Sequence, residues 1–123
     1  MRLLLDTHAL IWWDEGAGLR AAATRAIRDA DQVYISAATG WEIAIKTSLG
    51  RLHPRRTTTQ AVTESGFEEL PVRLHHTEAV ADLPWHHRDP FDRLIVAQAI
   101  VEKLTLVTRD PAFRAYGVRL LAA

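Results

Sequence analysis

The first apolar run of the chain is Leu3-Leu4-Leu5, and it ends at Asp6-Thr7-His8. Three large aliphatic residues followed by an acid are typical of a short buried strand with a carboxylate at its carboxyl end. Similar short apolar runs recur along the rest of the chain, and they alternate with segments of helical periodicity. The predicted strands are residues 3–5, 33–35, 70–74, 105–108 and 118–121.

Three segments repeat apolar residues every three or four positions, which predicts helices at residues 19–30, about 39–49 and 90–104. The second carries an apolar stripe on one side, and Gly50 is placed to end the helix. The third is apolar nearly all round and is expected to be a buried helix, whereas residues 53–60 and 84–90 are expected to be loops. The stripe of the second helix consists of Trp41, Ala44, Ile45 and Leu49. Strands alternating with helices predict an α/β domain, in which a mostly parallel sheet of four to five strands is covered on both faces.

Composition limits the classes of protein that remain. The 123 residues are enough for a single domain, residues 1–123, with one sizeable core. Fifteen basic residues balance fifteen acidic ones, so a nucleic-acid partner requires a local cluster of charge. The absence of cysteine excludes a disulfide scaffold and thiol chemistry. No apolar run approaches the roughly 18 residues that span a membrane, and we expect a soluble, cytoplasmic protein.

Two acids directly follow predicted strands. Asp6 ends the first strand, and Asp110 lies two residues beyond residues 105–108. The carboxyl ends of parallel strands are where open α/β sheets bind ligands. Each acid is also a good helix cap, so one such acid alone could be either a cap or part of a ligand-binding site. Two acids on the same edge of one sheet favour a ligand-binding site.

Two further acids lie on predicted helices. Glu42 is at the margin of the apolar stripe, where it either belongs to a site or forms a surface pair with Lys46. Asp89 precedes Pro90 and is expected to cap the third helix. Asp92 is aligned with the apolar side of that helix and is therefore expected to be functional, because a buried carboxylate needs a partner.

Convergence of these four acids would need a neutralising group. Two carboxylates about 4 Å apart repel by roughly 4 kcal/mol at an effective dielectric constant near 20. Protons or a hard divalent cation relieve that repulsion. Oxygen ligands without cysteine favour Mg²⁺ or Mn²⁺ over zinc. Because such clusters activate water for phosphodiester cleavage, the acids point to a metal-dependent nuclease.

Four blocks of the sequence, in this order and spacing, resemble the PIN-domain ribonucleases, and among them the VapC-type toxins of bacterial toxin–antitoxin pairs. Together the blocks extend over essentially the whole chain. They are Leu3-Leu4-Leu5-Asp6-Thr7-His8-Ala9-Leu10, Trp41-Glu42-Ile43-Ala44-Ile45-Lys46, His87-Arg88-Asp89-Pro90-Phe91-Asp92-Arg93-Leu94-Ile95-Val96-Ala97-Gln98-Ala99 and Leu106-Val107-Thr108-Arg109-Asp110.

The resemblance implies a three-layer α/β/α sandwich and a Mg²⁺ site formed by Asp6, Glu42, Asp92 and Asp110. It also implies an endoribonuclease that uses metal-activated water to cut structured cellular RNA such as tRNA or rRNA, leaving a 5′-phosphate and a 3′-hydroxyl. A homodimer and a small antitoxin protein that blocks the site are the partners it implies.

Side chains beside the acids are candidates for RNA contacts. Each basic one is alternatively a salt-bridged or solvated residue, and each threonine a helix cap or strand-end residue. The candidates are Thr7, Lys46, Arg88, Arg93, Thr108 and Arg109. Trp85 with His86 and His87 either stacks on a base or packs within a loop. Of the adjacent pair Trp12 and Trp13, at least one is expected to be exposed.

Two other classes of protein remain as alternatives. One is a non-catalytic module that keeps the fold and binds RNA or protein, and the presence of all four acids counts against it. The other is a phosphatase or phosphoacceptor with an aspartyl nucleophile. A phosphatase of that kind would need a second acid two residues after Asp6, where the chain has His8, and a receiver domain would need a late lysine where the chain has Arg109.

Overall fold

The computed structural model describes residues 1–86 and 88–123, which contain five strands, six α-helices and one 3₁₀ helix, η1. In chain order they are β1 (Arg2–Leu5), α1 (Thr7–Glu15), α2 (Ala21–Asp29), β2 (Gln32–Ser36), α3 (Ala37–Ser48), α4 (Thr58–Glu64), β3 (Glu68–Leu70), α5 (Leu74–Val80), α6 (Pro90–Glu102), β4 (Thr105–Thr108), η1 (Pro111–Tyr116) and β5 (Leu120–Ala122).

The five strands form one sheet in the order β3-β2-β1-β4-β5, and every neighbouring pair is parallel. The predicted parallel sheet is thereby confirmed. β1 is central, with Leu3 opposite Val33 on one side and Thr105 on the other. Chain order runs outward from β1 to β2 and β3, and then restarts on the other side with β4 and β5. The strand order therefore reverses between β1 and β4.

Alternation along β1 gives the sheet one core on each face. Leu3 and Leu5 pack with Leu10, Ile27 and other side chains of α1 to α3. Leu4 points the opposite way into a second core that α6 and η1 cover. All three leucines are fully buried. The predicted three-layer α/β/α sandwich is confirmed.

Three sequence predictions of element bounds need correction. The strand expected at 70–74 is β3, which ends at Leu70 because Pro71 has no N–H to continue the ladder. The last strand begins at Leu120, two residues later than expected. The loop expected at 53–60 ends early because α4 begins at Thr58, where Thr57 and Gln60 form a reciprocal capping box.

Most of the apolar stripe of α3 faces away from the core. Trp41 is 63% exposed and Leu49 59%, while the buried side of α3 carries Thr39, Glu42 and Ile43. The helix ends where predicted, with Gly50 in the left-handed region at φ 71°. In α6, Ile100 is likewise 41% exposed rather than buried. No helix within the described part of the chain is long and apolar enough to cross a membrane.

Candidate functional site

Asp6 lies at the carboxyl end of β1 and also begins α1. Its Oδ1 accepts a hydrogen bond from the backbone N–H of Ala9 at 2.8 Å, so it caps the helix, as the alternative explanation held. The residue is only 7% exposed. Burial raises the pKa of the Asp6 carboxyl, and the negative charge of Glu42 raises it further, against hydrogen bonds from Thr108 and Ala9 and attraction to His8 that lower it. Asp6 is thus a buried carboxylate whose surroundings, taken together, favour its protonated form.

Glu42 reaches the same region from the buried side of α3. The hydroxyl of Thr7 donates to Glu42 Oε1 at 2.7 Å, and Lys46 Nζ lies 2.7 Å from Oε2. The predicted pairing with Lys46 is therefore present, although it joins a buried glutamate to a half-buried lysine. Thr7 also contacts the hydroxyl of Thr39 at 3.3 Å. Both oxygens of Glu42 are consequently held in a defined orientation.

Asp110 is connected to Asp6 through Thr108. The Thr108 hydroxyl accepts the backbone N–H of Asp110 at 3.1 Å and lies near enough to Asp6 to lower the pKa of its carboxyl. Asp110 itself caps η1 by accepting from Ala112 N–H at 2.9 Å. Because Asp6 and Asp110 follow β1 and β4, they lie where the strand order reverses, which is the ligand-binding position of open parallel sheets.

Asp89 and Asp92 divide their roles at the start of α6. Asp89 Oδ1 accepts the backbone N–H groups of Phe91 and Asp92, at 2.8 and 3.1 Å, so its predicted role as the cap is confirmed. Asp92 is half-buried in the first turn. Its neighbour Phe91 makes an edge-to-face contact with Trp41 of α3, and the two ring centroids are 5.2 Å apart. This contact brings the helix turns that carry Glu42 and Asp92 together.

The prediction that Arg93 contacts RNA is wrong. It is 4% exposed, and its guanidinium donates to the carbonyl oxygens of Pro84, Val80 and Leu83 at 2.9, 3.1 and 3.3 Å. It also lies 3.9 Å from the ring centroid of Trp85. Arg93 therefore anchors the segment before α6 and has no surface to offer a nucleic acid.

Arg109 is exposed but also fixed in place. Its guanidinium lies 4.0 Å from the ring centroid of Trp12, and it donates to the carbonyl oxygens of Ala123, at 3.2 Å, and Gly18. Arg88 is exposed beside α6. Lys46, Arg88 and Arg109 thus remain available for the predicted RNA contacts, whereas His87 lies outside the described residues.

The tryptophans differ from expectation as well. Trp12 is half-buried against Arg109, and Trp13 packs on Phe67 and donates to Ser65 Oγ at 3.0 Å. The strongly exposed tryptophans are instead Trp41 and Trp85, at 63% and 78%.

A second cluster of ionisable groups was missed in the sequence. Within residues 1–86 and 88–123, one set of three His, Asp or Glu side chains has ligand atoms all within 4.8 Å of one another, namely His75, His76 and Glu102. His76 Nδ1 accepts the backbone N–H of Arg73 at 3.0 Å, so Nε2 carries the proton and donates to Glu102 at 3.1 Å. With that nitrogen protonated, His76 offers Glu102 a hydrogen bond rather than a lone pair to a metal. No sequence signal links these residues, because α5 and α6 bring them together only on folding.

The four predicted acids supply oxygen donors alone, which suits Mg²⁺ or Mn²⁺ better than zinc. The raised pKa of Asp6 is the observation that supports a cation here, since a divalent ion would stabilise its ionised form. The donor chemistry of the four acids therefore fits the predicted metal, but no three of them have ligand atoms within 4.8 Å of one another among the described residues.

Comparison with known proteins agrees with this geometry. The PIN domain family model matches residues 3–118. Ribonuclease VapC22 from Mycobacterium tuberculosis (strain ATCC 25618 / H37Rv) is 32% identical over 118 residues, which cover 93% of this chain and 91% of that protein.

Solved structures share the fold along nearly the whole chain. VapBC2 from Rickettsia felis, bound to a promoter DNA fragment, has a TM-score of 0.71 at 17% identity, with 98% of both chains covered. FitAcB from Neisseria gonorrhoeae has a TM-score of 0.65 at 22% identity, covering 98% of this chain and 96% of that one. A toxin–antitoxin complex from Klebsiella pneumoniae gives 0.65 at 21% identity with the same coverage. At these identities the likeness shows the fold alone. On the family match and the sequence relative, the chain belongs to the PIN-domain family and is a relative of the VapC ribonucleases within it.

Proposed function

We propose that this chain is a metal-dependent endoribonuclease that acts as the toxin of a toxin–antitoxin pair. The observation that carries the proposal is the environment of Asp6. This carboxylate is buried at the reversal of strand order, its pKa is raised, and Glu42 increases that shift. Burying an ionisable acid is costly without a compensating cation, and while Lys46 compensates Glu42, a bound divalent ion would compensate Asp6, which favours a functional site over a structural one.

Asp6, Glu42, Asp92 and Asp110 are the residues we assign to holding Mg²⁺, with Mn²⁺ as a substitute. When bound, such a cation polarises a phosphoryl oxygen and lowers the pKa of water, which serves phosphodiester hydrolysis.

The surrounding residues orient the acids before any ion binds. Ala9 N–H holds the carboxylate of Asp6, while Thr7 and Lys46 hold that of Glu42. Positioning the carboxylates in advance reduces the reorganisation that cation and substrate binding would otherwise require.

Three basic side chains near the acids, of which Lys46 is half-buried and the other two are exposed, are assigned to the RNA strand. Lys46, Arg88 and Arg109 would contact phosphates, and Thr7 and Thr108 would contact the acids or a phosphate. Because net charge is zero, these local groups must provide the electrostatic attraction. We assign structured cellular RNA, tRNA or rRNA, as the substrate, which is encountered in the cytoplasm.

A second copy of this chain and a small antitoxin are the protein partners we infer. The exposed apolar stripe of α3, which includes Trp41 and Leu49, supports the homodimer because isolated chains rarely expose such a surface. The inference of an antitoxin partner is supported by the solved structures of the same fold, which include a toxin–antitoxin complex. Co-expression of the antitoxin is expected to abolish RNA cleavage.

The test is incubation of purified wild type, Asp6→Asn and Asp31→Asn with total bacterial RNA, each with Mg²⁺ or EDTA, followed by mapping of the cut ends. Asp31 is a matched control, since it is exposed, lies at the amino end of β2 and pairs with the amino terminus. We expect discrete fragments with 5′-phosphates from wild type and Asp31→Asn in Mg²⁺ only. Intact RNA with every form, from protein free of antitoxin, would favour the non-catalytic binding module instead.

A further inference from the structure

A cavity of about 430 Å³ adjoins the acidic site beyond the end of β4. Thr108 and Asp110, which connect to Asp6, form part of its wall, and three arginines from separate stretches of the chain complete the polar lining. These are Arg20, which precedes α2, Arg109, which follows β4, and Arg114 of η1. Three cations against one carboxylate make this a local positive site on a chain with no net charge.

Arg20 and Arg114 have no structural role that accounts for their convergence. Both are exposed, and neither side chain makes a hydrogen bond or an ion pair with any described residue. Arg20 precedes α2 without a side-chain cap bond to it. Unpaired cations that face one cavity repel each other, so their placement favours an anionic ligand between them.

Arg109 is held rigidly at the same cavity. Its guanidinium is stacked on Trp12 and bonded to Gly18 and Ala123 through Nε and Nη2, which leaves Nη1 without a partner among the described residues. Gly18 allows this packing, since its φ is +109° and a Cβ there would lie 2.5 Å from the Trp12 ring. A guanidinium fixed in advance loses little entropy on binding a phosphate, and its planar donors match phosphate oxygens.

We propose that this arginine pocket, Arg20, Arg109 and Arg114, binds a backbone phosphate of the RNA strand next to the scissile bond. The inference rests on the proposed nuclease function and adds a subsite to it. Asp110 belongs both to the cavity wall and to the four acids, so a strand with a phosphate among the arginines would lie beside Asp110. The pocket would thereby set the position of the strand relative to the cut.

The test measures binding of a fluorescent single-stranded RNA by Asp6→Asn protein, which retains the pocket and is expected not to cut. Arg20→Ala/Arg114→Ala is compared with Arg25→Ala/Arg28→Ala, which removes equal charge from exposed positions of α2. We expect the pocket variant to lose at least tenfold in affinity. The slope of its plot of log affinity against log salt concentration is expected to become less steep by about 0.7 for each phosphate that the variant no longer neutralises. The slope for the control variant is expected to change little.

A methylphosphonate scan of the RNA then locates the bound phosphate. One neutral linkage near the cut is expected to weaken binding by the parent protein and to have no further effect on the pocket variant. If wild type cleaves RNA but both double variants bind it equally, the subsite is refuted and the nuclease proposal survives. The same refutation follows if the pocket variant binds RNA normally and loses only an acidic protein partner. If wild type neither binds nor cleaves RNA, the proposed function itself fails and the subsite falls with it.

Discussion

Arg93 provides the sharpest test of how the segment before α6 is held. Its guanidinium donates to three backbone carbonyls between Val80 and Pro84 and is stacked on Trp85 at 3.9 Å. Replacing it with alanine removes the side-chain donor from all three carbonyls, of which that of Val80 still accepts the backbone N–H of Leu83 at 3.1 Å, and it removes the cation–π interaction with Trp85. A hydrogen bond to a charged group contributes about 1.5–3 kcal/mol and a desolvated cation–π interaction about 2 kcal/mol.

Because water can reach part of the exposed segment after truncation, we expect Arg93→Ala to lower the free energy of unfolding by about 3 kcal/mol. For a domain of this size that corresponds to a fall in Tm of roughly 10 °C. Arg93→Lys should recover less than half of the loss, because an ammonium lacks the planar fork that reaches several carbonyls. Urea titrations followed by circular dichroism measure both, with Arg88→Ala as the exposed control. A loss of unfolding free energy below about 1 kcal/mol for Arg93→Ala, together with a tenfold loss of RNA affinity, would show that Arg93 contacts RNA and does not anchor the segment before α6.

The remaining predictions concern the two ionisable clusters. Burial raises the pKa of Asp6, so the stability that its proton provides is present below pH 3.8 and is lost as the pH rises through the higher pKa of the folded state. Asp6→Asn, which keeps the helix cap, is therefore expected to raise the Tm of the metal-free protein at pH 7 and to flatten its pH dependence; a marked fall in thermal melts in EDTA would favour a purely structural Asp6. Thr7→Val removes the donor to Glu42 and should lower kcat/KM for RNA about tenfold, or about 1.4 kcal/mol, with an unchanged circular dichroism spectrum; unaltered kinetics would show that the orientation of Glu42 is unimportant. The hydrogen bond from His76, and then that from His75, lowers the pKa of Glu102, so its contribution to stability is present above pH 4.5 and is lost as the pH falls through the lower folded pKa. Glu102→Gln should make acid unfolding less steep below pH 4.5, and superimposable acid titrations of variant and wild type would contradict this.

The sequence was most informative where structure depends on neighbours in the chain. β1, β4 and the cap at Asp89 follow from short apolar runs and local hydrogen bonding, and the structure confirms them. β3 is three residues long and begins with two glutamates, so it has no hydrophobic pattern to detect. The start of α4 was detectable, because Thr57 and Gln60 have the spacing of a capping box.

The errors in the candidate site arise from tertiary contacts. An apolar stripe on α3 has the same pattern whether it faces its own core or a partner, and here Glu42 occupies the buried side because Thr7 bonds to it. Arg93 lies beside an acid in sequence, but its role depends on the carbonyls of a loop that folds against α6. The cluster of His76 with Glu102 likewise joins residues 26 positions apart.

Binding of Mn²⁺, measured by electron paramagnetic resonance, tests most directly whether the acids at the carboxyl edge of the sheet hold the cation. Wild type is compared with Asp6→Asn and with Glu102→Gln, which alters the group of three possible ligands whose atoms lie within 4.8 Å of one another in the described residues. We expect Glu102→Gln to bind the ion as wild type does and Asp6→Asn to bind it at least tenfold more weakly. Unchanged binding by Asp6→Asn, with loss of the ion in Glu102→Gln, would instead place the metal at His75, His76 and Glu102.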